Sequence, residues 1–461
     1  MKTRNHLKIL IVVLVMPLIG GAGAVLAMPK MTNTAAVSAG FIWHTATVDS
    51  NGDHGTHASI AFHPTSGIPW ISYYDEENQD LMVAHRVSSG GNCGPNQEWY
   101  CETVDSAGDV GRYSSIDVAP LSIWKVGVAY YDTSSQALKF AEYICALGSC
   151  SWSVVTIEAG GGTSISYGLY PSLKYDSNGN PNIAYYINDP SVSDALRFAY
   201  RVSSAGNCGQ DSAAGKWRCY TVDSGEGVGQ FASMELTYAA TLLIPYVAYY
   251  DKSKGDLKLA KYVGGSGGTG CTHVSWSCQM IDGASTDVGQ QVSFELTNGQ
   301  YFAYYDATNA KLKFAYRVWA GEGNCGGGDF RCVSIESAAP LSNARSISLA
   351  VDSTDHPLIA YRHTQAGNSH LRVAQPIEAV GSSSGNCGPL NPGSIASWQC
   401  LSIETESSAL EDIATDVSVA FDPQDMPMVA YSRNGLTISG DDHDLKIAYR
   451  RIGIFLPIVL K

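Results

Sequence analysis

Five of the eleven histidines in this 461-residue chain stand beside turn residues and carboxylates. His54 and His57 lie in Ser50-Asn51-Gly52-Asp53-His54-Gly55-Thr56-His57. His363 and His370 flank a short turn, and His443 sits in Asp441-Asp442-His443-Asp444. Imidazole titrates near neutrality and is the commonest metal ligand among side chains. With carboxylates beside it, it can hold a divalent cation or supply acid and base. On this chemistry His54, His57, Asp442 and His443 are candidate metal ligands, and His363, Arg433 and His443 are candidate catalytic groups. The run Asp441–Asp444 also offers the hard oxygens that calcium takes, although it lacks the full D-x-D-x-D-G…E loop. Arg345, Arg362 and Arg433 add guanidinium forks of the kind that clamp a carboxylate. A second set consists of paired residues: Tyr74-Asp75, Tyr131-Asp132, Tyr250-Asp251 and Tyr305-Asp306. Rings beside carboxylates make a sugar surface, because the apolar face of a sugar packs on the ring while its hydroxyls bond to the carboxylate. The plainer alternative is that these tyrosines fill space and the aspartates cap turns.

These residues need a scaffold, and a repeat supplies it. Gly127–Ala141, GVAYYDTSSQALKFA, is two strand patterns about a polar turn, and the unit recurs seven times. Its first tyrosine falls at Tyr73, Tyr130, Tyr185, Tyr249, Tyr304, Tyr361 and Tyr431. The matching L-x-x-A falls at Leu81–Ala84, Leu138–Ala141, Leu196–Ala199, Leu257–Ala260, Leu312–Ala315, Leu371–Ala374 and Leu445–Ala448. A period of roughly 40–60 residues built only of strand patterns predicts a β-propeller with one four-stranded blade per repeat. The expected fold is therefore all-β: seven blades of four antiparallel strands, counted from the axis as inner, second, third and outer. The inner strand is a run such as Ser115–Val118 or Ser348–Val351, the second ends in the tyrosines, the third is L-x-x-A, and the outer carries Trp or Phe. Second and third strands read apolar on both faces, as strands do in sheets covered on both sides. The seven first tyrosines are accordingly read as packing between blades.

The seventh repeat has strands near Asp416–Asp422, Met428–Ser432 and Leu445–Arg450 but no outer strand of its own. Phe41–Asp49, FIWHTATVD, has the outer-strand pattern of Trp99–Asp105 and Trp217–Asp223, so the N-terminal strand is expected to pair into the last blade and lock the ring. Twelve cysteines fall in six close pairs: Cys93 with Cys101, Cys145 with Cys150, Cys208 with Cys219, Cys271 with Cys278, Cys325 with Cys332 and Cys387 with Cys400. An even count behind an export signal predicts disulfides. Zinc is the alternative, against which the spacings vary and only His273 lies near a cysteine. Strand direction puts the outer-to-inner and second-to-third loops on one face, the front, and the cysteine pairs on the opposite, disulfide face. The histidines and arginines above then gather on the front of blades 6, 7 and 1, where the Tyr-Asp pattern of the other blades changes to Arg362-His363 and Ser432-Arg433.

A net charge of −14, without a basic run beyond the N-terminus, argues against nucleic acid or an anionic membrane as partner. Residues 1–27 read as an export signal, with Lys2, Arg4 and Lys8 before the apolar Ile9–Ile19 and a Val25-Leu26-Ala27 cleavage site. An uncleaved anchor is the alternative. Residues 28–40 read as a linker, 41–452 as the propeller, and 453–461 as an apolar tail too short to span a bilayer. The expectation is an exported, extracellular or cell-surface monomer whose partner is a glycan or an extracellular protein. It has no membrane span once the signal is cleaved, and a divalent cation is the one cofactor its residues suggest.

From about Ser50 to Arg450 the repeats resemble seven-bladed propellers of exported bacterial proteins built on G-x-P-x-I-A-Y-Y-D … L-K-x-A units. Asn180-Pro181-Asn182-Ile183-Ala184-Tyr185-Tyr186 with Leu196–Ala199 carries the resemblance. It implies the fold and export, and attaches no activity. The chain has no Trp-Asp blade signature, no S-x-D-x-G-x-x-W sialidase box, and no Ser-His-Asp, phosphate-loop or dinucleotide motif. Some seven-bladed polysaccharide lyases use Tyr, His and Arg on the channel face, and Tyr305, His363 and Arg433 are of the same kinds. The expected function is a binding module for glycan or protein. The alternative is a glycan-active enzyme, lyase or glycoside hydrolase, centred on blades 6, 7 and 1.

Overall fold

The computed structural model describes residues 41–452 except 51, 121–124, 147–148, 161–163, 210–215, 284, 339–345, 366, 378–384, 391–396, 407–410 and 438–439. The stretches expected to be an export signal (1–27), a linker (28–40) and an apolar tail (453–461) lie outside the described residues, as does Arg345.

Seven antiparallel sheets form a ring, each four strands deep, with one extra strand, Gly385–Leu390, at the edge of the sixth. The inner strands are His54–Phe62, Val110–Val118, Ser166–Tyr175, Val228–Ala239, Val288–Leu296, Ile347–Val351 and Glu411–Phe421. The seventh sheet takes its outer strand from the other end of the chain. Phe41–Asp49 pairs antiparallel with Gly440–Ile452, from Phe41 opposite Ile452 to Asp49 opposite Leu445. The ring is thus closed as the repeat count required, and the closing blade is the one without a disulfide.

The other six blades carry the six expected disulfides. Cys93 is bonded to Cys101 in blade 1, Cys145 to Cys150 in blade 2, and Cys208 to Cys219 in blade 3. Cys271 is bonded to Cys278 in blade 4, Cys325 to Cys332 in blade 5, and Cys387 to Cys400 in blade 6. With all twelve sulfurs in these bonds, none is left for the zinc alternative. In four blades an Asn just before the first cysteine braces the hairpin, exchanging side-chain hydrogen bonds with the backbone of the second. Asn92 does so with Cys101, Asn207 with Cys219, Asn324 with Cys332 and Asn386 with Cys400. Of the other two, blade 2 has Cys150 paired in register opposite Cys145, and in blade 4 the Cys278 N–H donates to the Thr269 carbonyl at 2.8 Å.

The core lies between blades, so the middle strands have no solvent face. Pro69–Asp75 is buried along its whole length, and every Leu and Ala that bounds an L-x-x-A unit is 0% exposed. Burying one such leucine contributes about 1.5–3 kcal/mol. The seven first tyrosines are buried too, and each donates its hydroxyl to a carboxylate at the end of the preceding outer strand. Tyr73, Tyr130, Tyr249 and Tyr304 reach Asp49, Asp105, Asp223 and Asp282 at 2.5–2.6 Å. Tyr185, Tyr361 and Tyr431 reach Glu158, Glu336 and Glu404. Six of these carboxylates also hold a cation standing opposite the tyrosine on the third strand: Lys139, Arg197, Lys258, Lys313, Arg372 and Lys446. These latches join each blade to the next. The packing role read for the tyrosines holds, and the ionic partner is added to it.

A second ring runs along the axis. Ser59, Ser115, Ser172, Ser233, Ser293, Ser348 and Ser418, one per inner strand, each accept a hydrogen bond from a backbone N–H of the next inner strand at 2.9–3.2 Å. Together they close the circle and satisfy donors that an inner strand, having no neighbour within its own sheet on that side, would leave unpaired.

Two boundaries differ from expectation. The inner strand of blade 2 starts at Val110, not Ser115, with its register broken between Arg112 and Ser115. In blade 7 the second strand runs on past Ser432 to Thr437 and the third begins at Gly440, ahead of Leu445, with Leu436 opposite Asp441 and Asn434 opposite His443.

Candidate functional site

The register break is where the front mouth of the channel is built. Five inner strands begin with Gly-x-X-x-Ser: Gly55…His57…Ser59, Gly111…Tyr113…Ser115, Gly168…Tyr170…Ser172, Gly229…Phe231…Ser233 and Gly289…Gln291…Ser293. The glycine presses on the neighbouring third strand. At Gly111 (φ +114°) a Cβ would lie 2.8 Å from the Cα of Leu81. Two residues later the chain enters the left-handed region, at φ +56° for Tyr113, +49° for Tyr170 and +55° for Phe231. Bulky residues hold such conformations at a cost of about 1–3 kcal/mol, and the conformations gather at ligand sites.

The residues two before the axial serines form a ring of their own: His57, Tyr113, Tyr170, Phe231, Gln291, Ser346 and Asp416. Successive aromatic centroids are 4.7, 4.6 and 4.5 Å apart from His57 through Tyr113 and Tyr170 to Phe231. The other half is polar. The Ser346 N–H donates to Gln291 Oε1 at 2.8 Å, Ser346 Oγ to the Thr415 carbonyl at 2.6 Å, and His57 Nδ1 stands 3.7 Å from Asp416 Oδ1. Beneath lies a cavity of about 50 Å³ lined by the axial serines. Tyr113 and Tyr170 are the half-buried members of this ring, and the other five are buried. Burial raises the Tyr113 pKa above its ordinary value, so its hydroxyl stays a donor at neutral pH.

A charged cluster flanks the aromatic half. Arg112 lies over the Tyr74 ring at 4.6 Å, donates to the Tyr74 hydroxyl (3.1 Å) and to Asp109 (3.1 Å), and faces Glu76 at 3.7 Å. The side chains of Arg112 and Glu76 keep 31% and 28% exposure, enough to meet a ligand. At the far end of the channel Lys174 pairs with Glu235 at 2.5 Å, and burial with the charge of Glu235 pushes Glu295 up to about 8.

The structure separates much of what the sequence placed together. Asp75, Asp132, Asp251 and Asp306 are 1–4% exposed and spend oxygens on Asn78, Ser135, Ser253 and Asn309 of their own turns. Of their partners, Tyr74 and Tyr250 donate to Asp109 and Asp287, Tyr131 bonds to Ser166, and Tyr305 is partly buried. Their rings reach toward the next blade, leaving no symmetric row of Tyr-Asp pairs at the surface. His54 lies buried between Asp49 (3.0 Å) and Asp75 (3.1 Å), tying the closing strand to blade 1. His443 is bound to Asp53, Arg362 to Asp412 at 2.8 Å, and Arg433 stands 4.0 Å from Asp444. The side chain of Asp442 lies outside the described residues. Among the described residues no three His, Cys, Asp or Glu side chains converge as a metal site. His363 and His370 form a pair of their own, with ring centroids 5.8 Å apart.

A groove of about 990 Å³ opens on the disulfide face between blades 1 and 7, lined by Phe62, Ile68, Met428 and Tyr449 among others. Its lining comes from blades 1 and 7, with Tyr449 and Arg450 on the strand that pairs with Phe41–Asp49.

No protein-family model matches the chain, and no curated protein does. Solved structures to which it is similar include the following three. The polysaccharide lyase Uly1 shares 8% identity over 92% of this chain and 94% of that one, with a TM-score of 0.42. A protein of unknown function from Dyadobacter fermentans shares 10% over 88% and 98%, with 0.41. The GH93 α-L-arabinofuranosidase of Fusarium graminearum shares 9% over 88% and 97%, with 0.37. The chain itself is a seven-bladed β-propeller.

Proposed function

We propose that this propeller is an exported glycan-binding module that takes a saccharide on its front face, over Tyr113 and Tyr170. The observation that carries this reading is the aromatic half-ring, held at strained backbone positions beside partly exposed charged groups. Tyrosine rings offer a flat apolar surface to the C–H face of a sugar. Arg112, Glu76 and Asp109 supply donors and acceptors for its hydroxyls at the rim of the same patch. The six disulfides suit an oxidising compartment. Binding of mature protein to a panel of neutral and acidic polysaccharides tests the reading. Tyr113→Ala and Tyr170→Ala should each weaken retention about tenfold, or about 1.4 kcal/mol, with unchanged melting. Equal retention by both variants and the wild type would sink it.

The second reading is the glycan-active enzyme centred on blades 6, 7 and 1, and one observation, at the blade 6 edge of that sector, favours it. His363 Nε2 shares a hydrogen bond with the exposed Ser337 Oγ at 3.2 Å. Burial and then the charge of Arg372 lower its pKa to about 4, leaving a neutral base at pH 7. Mass spectrometry of soluble products separates the readings: oligosaccharides released by the wild type and lost in His363→Gln would replace the binding module with a catalyst.

A further inference from the structure

We propose that His363 and His370 form a two-histidine site for a borderline divalent metal, of which Cu(II) is the tightest-binding member.

The argument starts from register. His363 and His370 stand directly opposite each other on Pro357–Gln365 and Asn368–Pro376, the second and third strands of blade 6. Directly opposed residues share one face of a sheet, with Cβ atoms about 4.5–5.5 Å apart. The two imidazoles follow that geometry, with centroids 5.8 Å apart and planes inclined at 58°. A metal about 2 Å from one nitrogen of each ring fits that spacing at an N–metal–N angle wider than a right angle.

Each ring has one nitrogen held and one unused. His363 Nε2 meets Ser337 Oγ at 3.2 Å, and His370 Nδ1 meets Thr405 Oγ1 at 2.9 Å. His363 Nδ1 and His370 Nε2 are buried and have no hydrogen-bond partner among the described residues. His363 as a whole is 6% exposed. A buried ring nitrogen without a partner loses its bond to water and gains none in return. A metal-ligating histidine shows this same division: an oxygen fixes one nitrogen and sets the tautomer, leaving the lone pair of the other for the ion.

Carboxylates offset the one guanidinium whose charge both rings feel: Arg372 is itself bonded to Glu336 at 2.7 Å. Glu406, 7% exposed, is tied to Ser369 beside His370 and contributes negative charge. Imidazole nitrogen suits copper, zinc and nickel in preference to magnesium or calcium. Two protein ligands leave the remaining positions to water or to a ligand oxygen. In the four blades with Tyr-Asp, the place of His363 is taken by the turn-capping aspartate, so the exchange is local to this blade.

The test uses untagged full-length protein after chelator treatment and dialysis, titrated with Cu(II) and followed by electron paramagnetic resonance and calorimetry. The expected result is one Cu(II) per chain with superhyperfine coupling to two imidazole nitrogens. Affinity should fall at least tenfold in His370→Gln and in His363→Gln, and stay within twofold in His443→Gln. His370→Gln is the decisive variant should the more buried His363→Gln fail to fold. Stoichiometric binding that keeps its spectrum in His370→Gln, or no binding by the wild type, overturns the proposal. Neither result bears on the saccharide patch of blades 1 to 3.

Discussion

Asp105 shows how single residues hold this ring. Burial works to raise its pKa, but hydrogen bonds from Lys139 and Tyr130 outweigh it and keep the carboxyl below its ordinary value. Removing one partner of such a buried trio leaves a charge or hydroxyl unpaired, at about 3–5 kcal/mol. Blade 1 departs from the rule. Met82 stands opposite Tyr73 where the other blades have a cation, and His54 takes over, set between Asp49 and Asp75. Burial lowers the His54 pKa, the two carboxylates raise it more, and the net shift is upward from 6.5. A raised folded-state pKa contributes stability that is full below the unfolded value and fades as pH rises through the folded one. His54→Gln should therefore lower the melting temperature more at about pH 5.5 than at about pH 9. Thermal scans of both proteins across that window check it, and an equal drop at both ends would exclude the charged latch. The residue types of this latch were all legible in the sequence. Their convergence was not, because tyrosine, carboxylate and cation come from strands of two blades.

At the scale of the strand, the Gly-x-X-x-Ser start does two jobs. The glycine lets the strand press against the neighbouring blade, and the serine accepts a hydrogen bond from the next. Ser115→Ala removes one acceptor and orphans the Leu173 N–H, at about 1–2 kcal/mol. Gly111→Ala should cost more, because the new Cβ meets the Leu81 backbone at 2.8 Å in a conformation, φ +114°, that L-residues avoid. Urea titrations give both as shifts in midpoint at constant slope. A smaller loss for Gly111→Ala than for Ser115→Ala would show that the neighbouring blade yields. The serine positions were visible in the repeat. The bulge before them was not, since a glycine followed by a polar residue reads as a turn.

At the scale of the whole molecule, closure rests on nine residues from the opposite end of the chain. Starting the chain after Asp49 would expose the edge of Gly440–Ile452, take the carboxylate from Tyr73 and leave His54 with Asp75 alone. A loss of about 5 kcal/mol should lower the melting temperature by roughly 6 °C, and a synthetic peptide of residues 41–49 should restore part of it. Calorimetry with and without the peptide decides. An unchanged melting temperature in the truncated protein would mean that the other six interfaces hold the ring alone.

The repeat number, the strand order, the closing strand and the six disulfides are legible in the chain before it folds. Each follows from local pattern: the period of the YY and L-x-x-A units, and cysteines a few residues apart, as Cys145 is from Cys150. Tertiary structure alone decided the site. Seven residues, one per blade and tens of positions apart in the chain, meet at the channel mouth, and no local spacing marks Tyr113 and Tyr170 as neighbours at 4.6 Å. It also dispersed the histidines into separate pairs, because a loop position fixes a face and a blade but not the direction of a side chain. Only His363 and His370 escaped that uncertainty, being opposed across one hairpin, where sequence separation and spatial register coincide.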